Sequence, residues 1–110
     1  MNGVVLVKIF VKAVDDLVVQ PRLYAYSNHE QYINFRSEDF RKKLKEVIQA
    51  MSEGIKMKSI LRDFKILELI VCDENRFTNT QFINGKSVRV ITVDRRKYDL
   101  LKAMEWEDIH

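Results

Sequence analysis

Clusters of basic residues define the chemistry available to this chain. Arg41, Lys42, Lys43 and Lys45 crowd one short window. Arg95, Arg96 and Lys97 stand consecutively, a few residues after Arg89, and Lys56 and Lys58 lie between the two groups. Such side chains contact phosphate oxygens or carboxylates by charge, and arginine adds a planar, two-pronged donor. The group at 95–97 is the odd one. If Asp94 caps a helix, cations fill its first turn and Glu105, Glu107 and Asp108 its end, the reverse of what a helix dipole favours. A helix N-terminus already attracts anions through its unpaired N–H groups. Each added cation there costs a few tenths to about 1 kcal/mol at low salt. Four outcomes fit this arrangement. The turn receives a phosphate or an acidic partner, Asp94 and Asp99 neutralise it locally, the last turn frays and "EWEDIH" is a loose tail, or the acidic end of one copy meets the basic helix of another. Tyr24, Tyr26, Tyr32 and Phe35 add aromatic surface of the kind that stacks on single-stranded nucleic acid beside phosphate-binding cations.

Catalytic constellations are sparse. His29 sits in the polar turn Ser27–Glu30, and His110 is the last residue. No His-His or Cys-His spacing suited to zinc is present, and Cys72 stands among apolar neighbours, where a structural thiol is expected. The glycines at 3, 54 and 85 spell neither phosphate-loop pattern. A metal-dependent nuclease would have to draw on Glu68, Asp73 and Asp15, with Asp16 and Glu74 beside them. Glu68 lies between apolar residues, but position 70 is Ile, so the Glu-x-Lys pattern of many nucleases is missing. No enzyme, no metal and no cofactor is expected.

The elements that must position these residues are read from periodicity. In "VVLVKIFVKAV", Val5, Val7, Ile9, Val11 and Ala13 alternate with a second set, which predicts a strand over 4–13, a turn at Asp15-Asp16, and a second strand from Leu17 through Tyr26 broken at Pro21. "QYINF" predicts a third strand. Ser37 followed by Glu38 and Asp39 opens a helix over 38–53 whose stripe is Phe40, Leu44, Val47, Ile48 and Met51, with Gly54 as its cap. A short helix is expected from Ser59 to Phe64. "KILELIVCDE" reads as a central strand, apolar on both faces. Asn84-Gly85 predicts a type I′ hairpin that pairs Ile83 with Lys86, Gln81 with Val88 and Thr80 with Arg89. A C-terminal helix follows over 95–106. The sum is one α+β domain spanning 1–110, with an antiparallel or mixed sheet of five to six strands packed by the helices at 38–53 and 95–106.

Composition is consistent with this. A hydrophobic fraction of 46% beside a charged fraction of 32% is globular. The net charge is +3, and the excess sits in residues 36–65, which hold nine bases against five acids. Lys8 and Lys12 interrupt the first apolar run, so neither a signal-peptide core nor a membrane span is expected there. One cysteine excludes an internal disulfide, and a reducing, cytoplasmic setting is the expectation.

"VVLVKIFVKAV", "FRKKLKEVIQAM" and "KILELIVCDE" share an Ile/Val/Lys/Arg-rich texture with few Gly and Pro. In this the chain resembles small orphan proteins of thermophilic archaea and their viruses. The resemblance implies life inside an infected host cell, with nucleic acid or a host protein as partner, and carries no site residue. Together these features predict a non-enzymatic accessory protein. It would contact DNA or RNA phosphates through Arg41, Lys42, Lys43, Lys45, Arg89, Arg95, Arg96 and Lys97. The alternative is a homodimeric protein-interaction module with no membrane partner, and the third is the nuclease.

Overall fold

A computed structural model describes residues 3–19, 25–28, 31–51, 56–72 and 76–105. The chain runs α1 (Gly3–Val18), β1 (Ala25–Asn28), β2 (Tyr32–Arg36), α2 (Ser37–Met51), α3 (Met57–Ile66), β3 (Asn79–Ile83), β4 (Lys86–Asp94) and α4 (Arg95–Glu105). The class is α+β as expected, but the sheet has four antiparallel strands, in the order β1-β2-β4-β3, not five or six. Among the described residues four helices accompany it rather than three, the additional one being α1.

Both strand-count errors have a physical cause. Residues 3–18 form a helix where the alternation predicted a strand over 4–13. The same run satisfies both periods. Leu6, Ile9, Phe10, Ala13, Val14 and Leu17 recur at helical spacing and are buried, with Val11 beside them. β-Branched Val and Ile lower helix propensity by only a few tenths of a kcal/mol each, and burial of a full stripe outweighs this. Asp15-Asp16 accordingly lies in the last turns of α1 and is no turn. The strand expected from Leu17 begins inside that helix and is strand only at 25–28; positions 20–24, with Pro21, lie outside the described residues.

The second error is "KILELIVCDE". Lys65 and Ile66 end α3, and the chain then turns sharply at Glu68, whose φ of 58° is left-handed. Leu69 N–H donates to Phe64 O at 2.8 Å and Glu68 N–H to Lys65 O at 3.0 Å, closing the helix with the paired reverse bonds of a left-handed C-terminal cap. Only Ile70 reaches the sheet, as a single bridge to Val93. Val71 N–H donates to Thr92 O and Asp94 N–H to Leu69 O, both at 2.9 Å. This segment therefore covers the edge of β4 that β3 leaves open.

The remaining elements stand where expected, except that Met51, expected on the stripe of the helix at 38–53, is exposed in its last turn. The third strand is β2, the short helix at Ser59–Phe64 lies within α3, and the helix at 38–53 is α2, its expected end at Glu53 and cap at Gly54 lying outside the described residues. The hairpin has the expected register, with Asn84 at φ 53° and Gly85 at φ 79°, both positive as a type I′ turn requires.

The core lies on one face of the sheet. Ile33, Phe35, Ile91 and Val93 meet Phe10 and Leu17 of α1, Phe40 and Leu44 of α2, Ile60, Leu61 and Phe64 of α3, and Tyr98 of α4. Phe10 is packed edge-on by Phe64 at 5.2 Å and by Tyr98 at 6.4 Å between ring centroids. On the opposite face a polar row crosses three strands. Asn79 Nδ2 donates to Val71 O at 2.7 Å and to Thr92 Oγ1 at 2.9 Å, and Thr92 Oγ1 donates to Asn34 Oδ1 at 2.5 Å. Asn34 and Thr92 are buried and register partners, so these bonds link β2, β4 and β3 on this face.

Candidate functional site

The relative lengths of the strands create the site. β2 pairs with β4 only from Tyr32↔Asp94 to Arg36↔Val90. Residues 86–89 of β4 pair with β3 alone, so the hairpin projects past the point where β2 turns into α2. The angle between them is a cleft of about 400 Å³ lined by Arg36, Ser37, Glu38, Arg41, Ser87, Val88 and Arg89. Each arginine comes from a different element: Arg36 ends β2, Arg41 lies on the second turn of α2, and Arg89 projects from β4. Arg41 Nε donates to Ser37 Oγ at 3.1 Å, which fixes its stem against the start of the helix. Arg36 lies 3.7 Å from the Glu38 carboxylate. Asp39, in the same turn, has its carboxyl pushed up by burial, an effect that Arg36 partly offsets.

Of the eight basic residues expected to bind, this cleft gathers Arg41 and Arg89, and adds Arg36, which the sequence did not single out. Lys42 and Lys45 are exposed on α2, away from its buried stripe of Phe40, Leu44, Val47 and Ile48. Lys45 follows Arg41 by one turn and extends the basic surface. Lys43 points elsewhere. Its Nζ is 2.8 Å from Glu46 and 4.0 Å from Asp16 of α1, and the Lys43 hydrogen bond holds the Glu46 carboxyl below its usual range.

The group at the start of α4 is arranged differently. Asp94 caps the helix, its Oδ1 accepting from Lys97 N–H at 3.0 Å. Lys97 Nζ reaches back to the end of α3, donating to Leu67 O at 3.1 Å and to Glu68 Oε2 at 3.3 Å. It satisfies a terminal carbonyl of one helix from the first turn of another. Arg95 is half-buried, and its Nε makes no hydrogen bond to a described group. Arg96 lines a separate hollow of about 340 Å³ with Gln31, Tyr32 and Asp94. Six residues separate Arg89 from Arg95 along an extended strand, a span of about 20 Å. The eight basic residues therefore do not form one patch; they sit at opposite ends of β4.

One turn further along α4 the charges are again structural. Tyr98 Oη donates to Asp15 Oδ1, and Lys102 Nζ lies 3.0 Å from the same oxygen and 3.4 Å from the phenol. Burial, aided by the neighbouring Asp15 carboxylate, pushes the Tyr98 phenol up to about 12. The Asp15 hydrogen bond likewise raises Lys102. Two of the three nuclease candidates are thus engaged separately, Asp15 with α4 and Glu68 with Lys97, while Asp73 lies outside the described residues. Among the described residues no three His, Cys, Asp or Glu side chains come together as a metal site. Cys72 is half-buried, its Sγ donating to Arg76 O at 2.8 Å.

The aromatic expectation also shifts. Phe35 is core, Tyr32 lines the hollow beside Arg96, and Tyr24 lies outside the described residues. Among the described residues the exposed aromatic is Phe82 of β3, with 81% of its surface open. The sequence carried a signal for it. The hairpin register puts Phe82 opposite Ser87 on the face that also carries Thr80 and Arg89, an aromatic ring on an otherwise polar surface.

Among the described residues no helix is long and apolar enough to cross a membrane. No protein-family model matches the chain, and no curated protein matches it.

Proposed function

We propose that this protein binds nucleic acid without a catalytic step, by holding backbone phosphate in the cleft between α2 and the β3–β4 hairpin. The observation that supports this is the convergence of Arg36, Arg41 and Arg89 from three elements on one hollow, with the hydroxyls of Ser37 and Ser87 in its wall. Guanidinium pairs bind phosphate oxygens bidentately, and neutral hydroxyls complete the donor set. Lys42 and Lys45 carry the positive surface away from the cleft along α2, as a polyanion needs. Glu38 opposes it and sets the selectivity: a weak anion does not displace it from Arg36, whereas a polyanion gains enough contacts to do so. An intracellular setting belongs to this proposal.

The test is a fluorescence-anisotropy titration with DNA and RNA oligonucleotides across a range of salt. Binding is expected to weaken linearly on a log–log plot, with a slope of about −0.7 to −0.9 per phosphate engaged. Charge reversal at Arg41 and Arg89 is expected to weaken it by well over tenfold. Absence of binding at low salt overturns the proposal.

A second reading, self-association, is favoured by β3. It is an edge strand, Asn79–Ile83, with no charged residue and an exposed Phe82, so it lacks the usual protection against pairing with another strand. It predicts a concentration-dependent mass in sedimentation, insensitive to salt.

A further inference from the structure

We infer that the strand bound in the arginine cleft is single-stranded, and that Phe82 is the platform on which one of its unpaired bases stacks. This rests on the phosphate-binding proposal above and adds to it the class of nucleic acid. Phe82 is exposed over 81% of its surface, more than any other large apolar side chain among the described residues, and sits on the projecting part of the hairpin. A ring that contributed to folding would be buried, as Phe10, Phe35, Phe40 and Phe64 are.

Its placement relative to the cleft is fixed by the register. Phe82 pairs with Ser87, which is part of the cleft wall, and Arg89 lies two residues further along β4 on the same face. Such diagonal neighbours in an antiparallel pair have Cα atoms about 7–8 Å apart, within reach of one nucleotide. Thr80, opposite Arg89, completes this face and offers a hydroxyl. A base lying on the Phe82 ring thus brings its own phosphate to Arg89, and the adjoining phosphate to Arg36 and Arg41 deeper in the angle. Paired bases in a duplex keep their faces stacked on one another and present no ring to Phe82. A stack is also tolerant of sequence, because every base has a π-face. The preference is therefore for unpaired strands of any sequence.

The experiment compares an oligothymidine of about ten nucleotides, the same length of abasic phosphodiester strand, and a duplex, by anisotropy against the wild type, Phe82→Ala, Phe82→Trp and Arg41→Glu/Arg89→Glu. Phe82 is exposed, so its variants keep the fold, which thermal melts verify. The expected result is tightest binding to oligothymidine, with the abasic strand held more weakly through phosphate contacts alone and the duplex also weaker. Phe82→Ala weakens oligothymidine binding by about tenfold, the loss of one base–aromatic stack. Its affinity for the abasic strand is unchanged. In a Trp106→Phe background, Phe82→Trp keeps the affinity, and its fluorescence is quenched as the base stacks. Equal affinity for oligothymidine and the abasic strand, with Phe82→Ala silent on both, overturns the stack while leaving the arginine cleft standing. Loss of all binding in every arm overturns the cleft itself. A Phe82→Ala effect on sedimentation mass rather than on affinity assigns the ring to a contact between copies instead.

Discussion

Two helices of this protein begin beside β4, and they use basic residues in opposite ways. In the first turn of α4, Lys97 ties the end of α3 through Leu67 O and Glu68, and in its last turn Lys102 holds Asp15 of α1. These charges are consumed by the fold, and the reversed order of charge along α4 is the result: a cation in the first turn is acceptable when it serves the carboxyl end of a neighbouring helix and when Asp94 supplies the cap. At the start of α2 the order is normal, with Glu38 and Asp39 in the first turn. Yet there Arg36, Arg41 and Arg89 surround an open cleft of about 400 Å³. A run of cations in a sequence is thus a poor guide to a site. The difference lies in where the fold places them: Lys97 and Lys102 tie one helix to another, whereas the three arginines line a cleft.

The largest effect that tests this contrast is on affinity. Arg41→Glu/Arg89→Glu is expected to weaken nucleic-acid binding by well over tenfold and to reduce the salt slope by about 2, whereas Arg96→Glu/Lys97→Glu changes affinity by less than about threefold. Equal losses in the two double variants would erase the distinction.

The converse holds for stability. Tyr98→Phe removes the Oη–Asp15 bond between α4 and α1 and is expected to cost about 1–2 kcal/mol in urea unfolding, with no loss of binding. The pH dependence follows from the same group. The Tyr98 phenol sits at about 12 when folded, against an ordinary value of 10.0. Its contribution is complete below pH 10 and is lost as the pH rises toward 12. Absorbance titration should show one tyrosine ionising near 12, and the melting temperature should fall across that window more steeply in the wild type than in Tyr98→Phe.

Two smaller effects sharpen the comparison. Glu38→Gln removes the carboxylate beside Arg36 and should tighten oligonucleotide binding about two- to fivefold, most visibly at low salt. Glu68→Gly relieves a left-handed backbone at the end of α3 but gives up the Lys97 pair. The backbone gain exceeds the worth of an exposed ion pair, so a net stabilisation of about 0.5–1 kcal/mol is expected in chemical denaturation. A destabilised Glu68→Gly would show that the Lys97 tie outweighs the strained turn.

Much of this arrangement was legible locally. Asn84-Gly85 specified the hairpin and its register because two successive positive φ angles suit that pair and few others. The stripe Phe40, Leu44, Val47 and Ile48 specified α2, and Asp94 three residues before an N–H donor specified the cap of α4. The hairpin register also placed Arg89 and Phe82 on one face. Arg36 was invisible as a residue of the cleft, since it appears in the sequence only as the end of a strand. It joins Arg89 because β2 stops at Val90's partner while β4 continues to Lys86.

What the sequence determined by itself is therefore whatever rests on neighbours within a turn or two: backbone handedness, capping, and a stripe with a single period. The tertiary structure decided the rest. The run at 3–18 is apolar enough to satisfy either period, and it became helix because α2, α3 and α4 present it with a groove in which one stripe is fully buried. The run at 65–72 divided between a helix end and a bridge because Glu68 turned and β4 had an edge to cover. The roles of the cations were settled the same way. Lys97 and Glu68 are 29 residues apart, and Tyr98 and Asp15 are 83 apart. Hydrogen bonds and ion pairs act over a few ångströms in space and carry no record of themselves along the chain. Only the packed fold shows which charges tie one helix to another and which line a cleft.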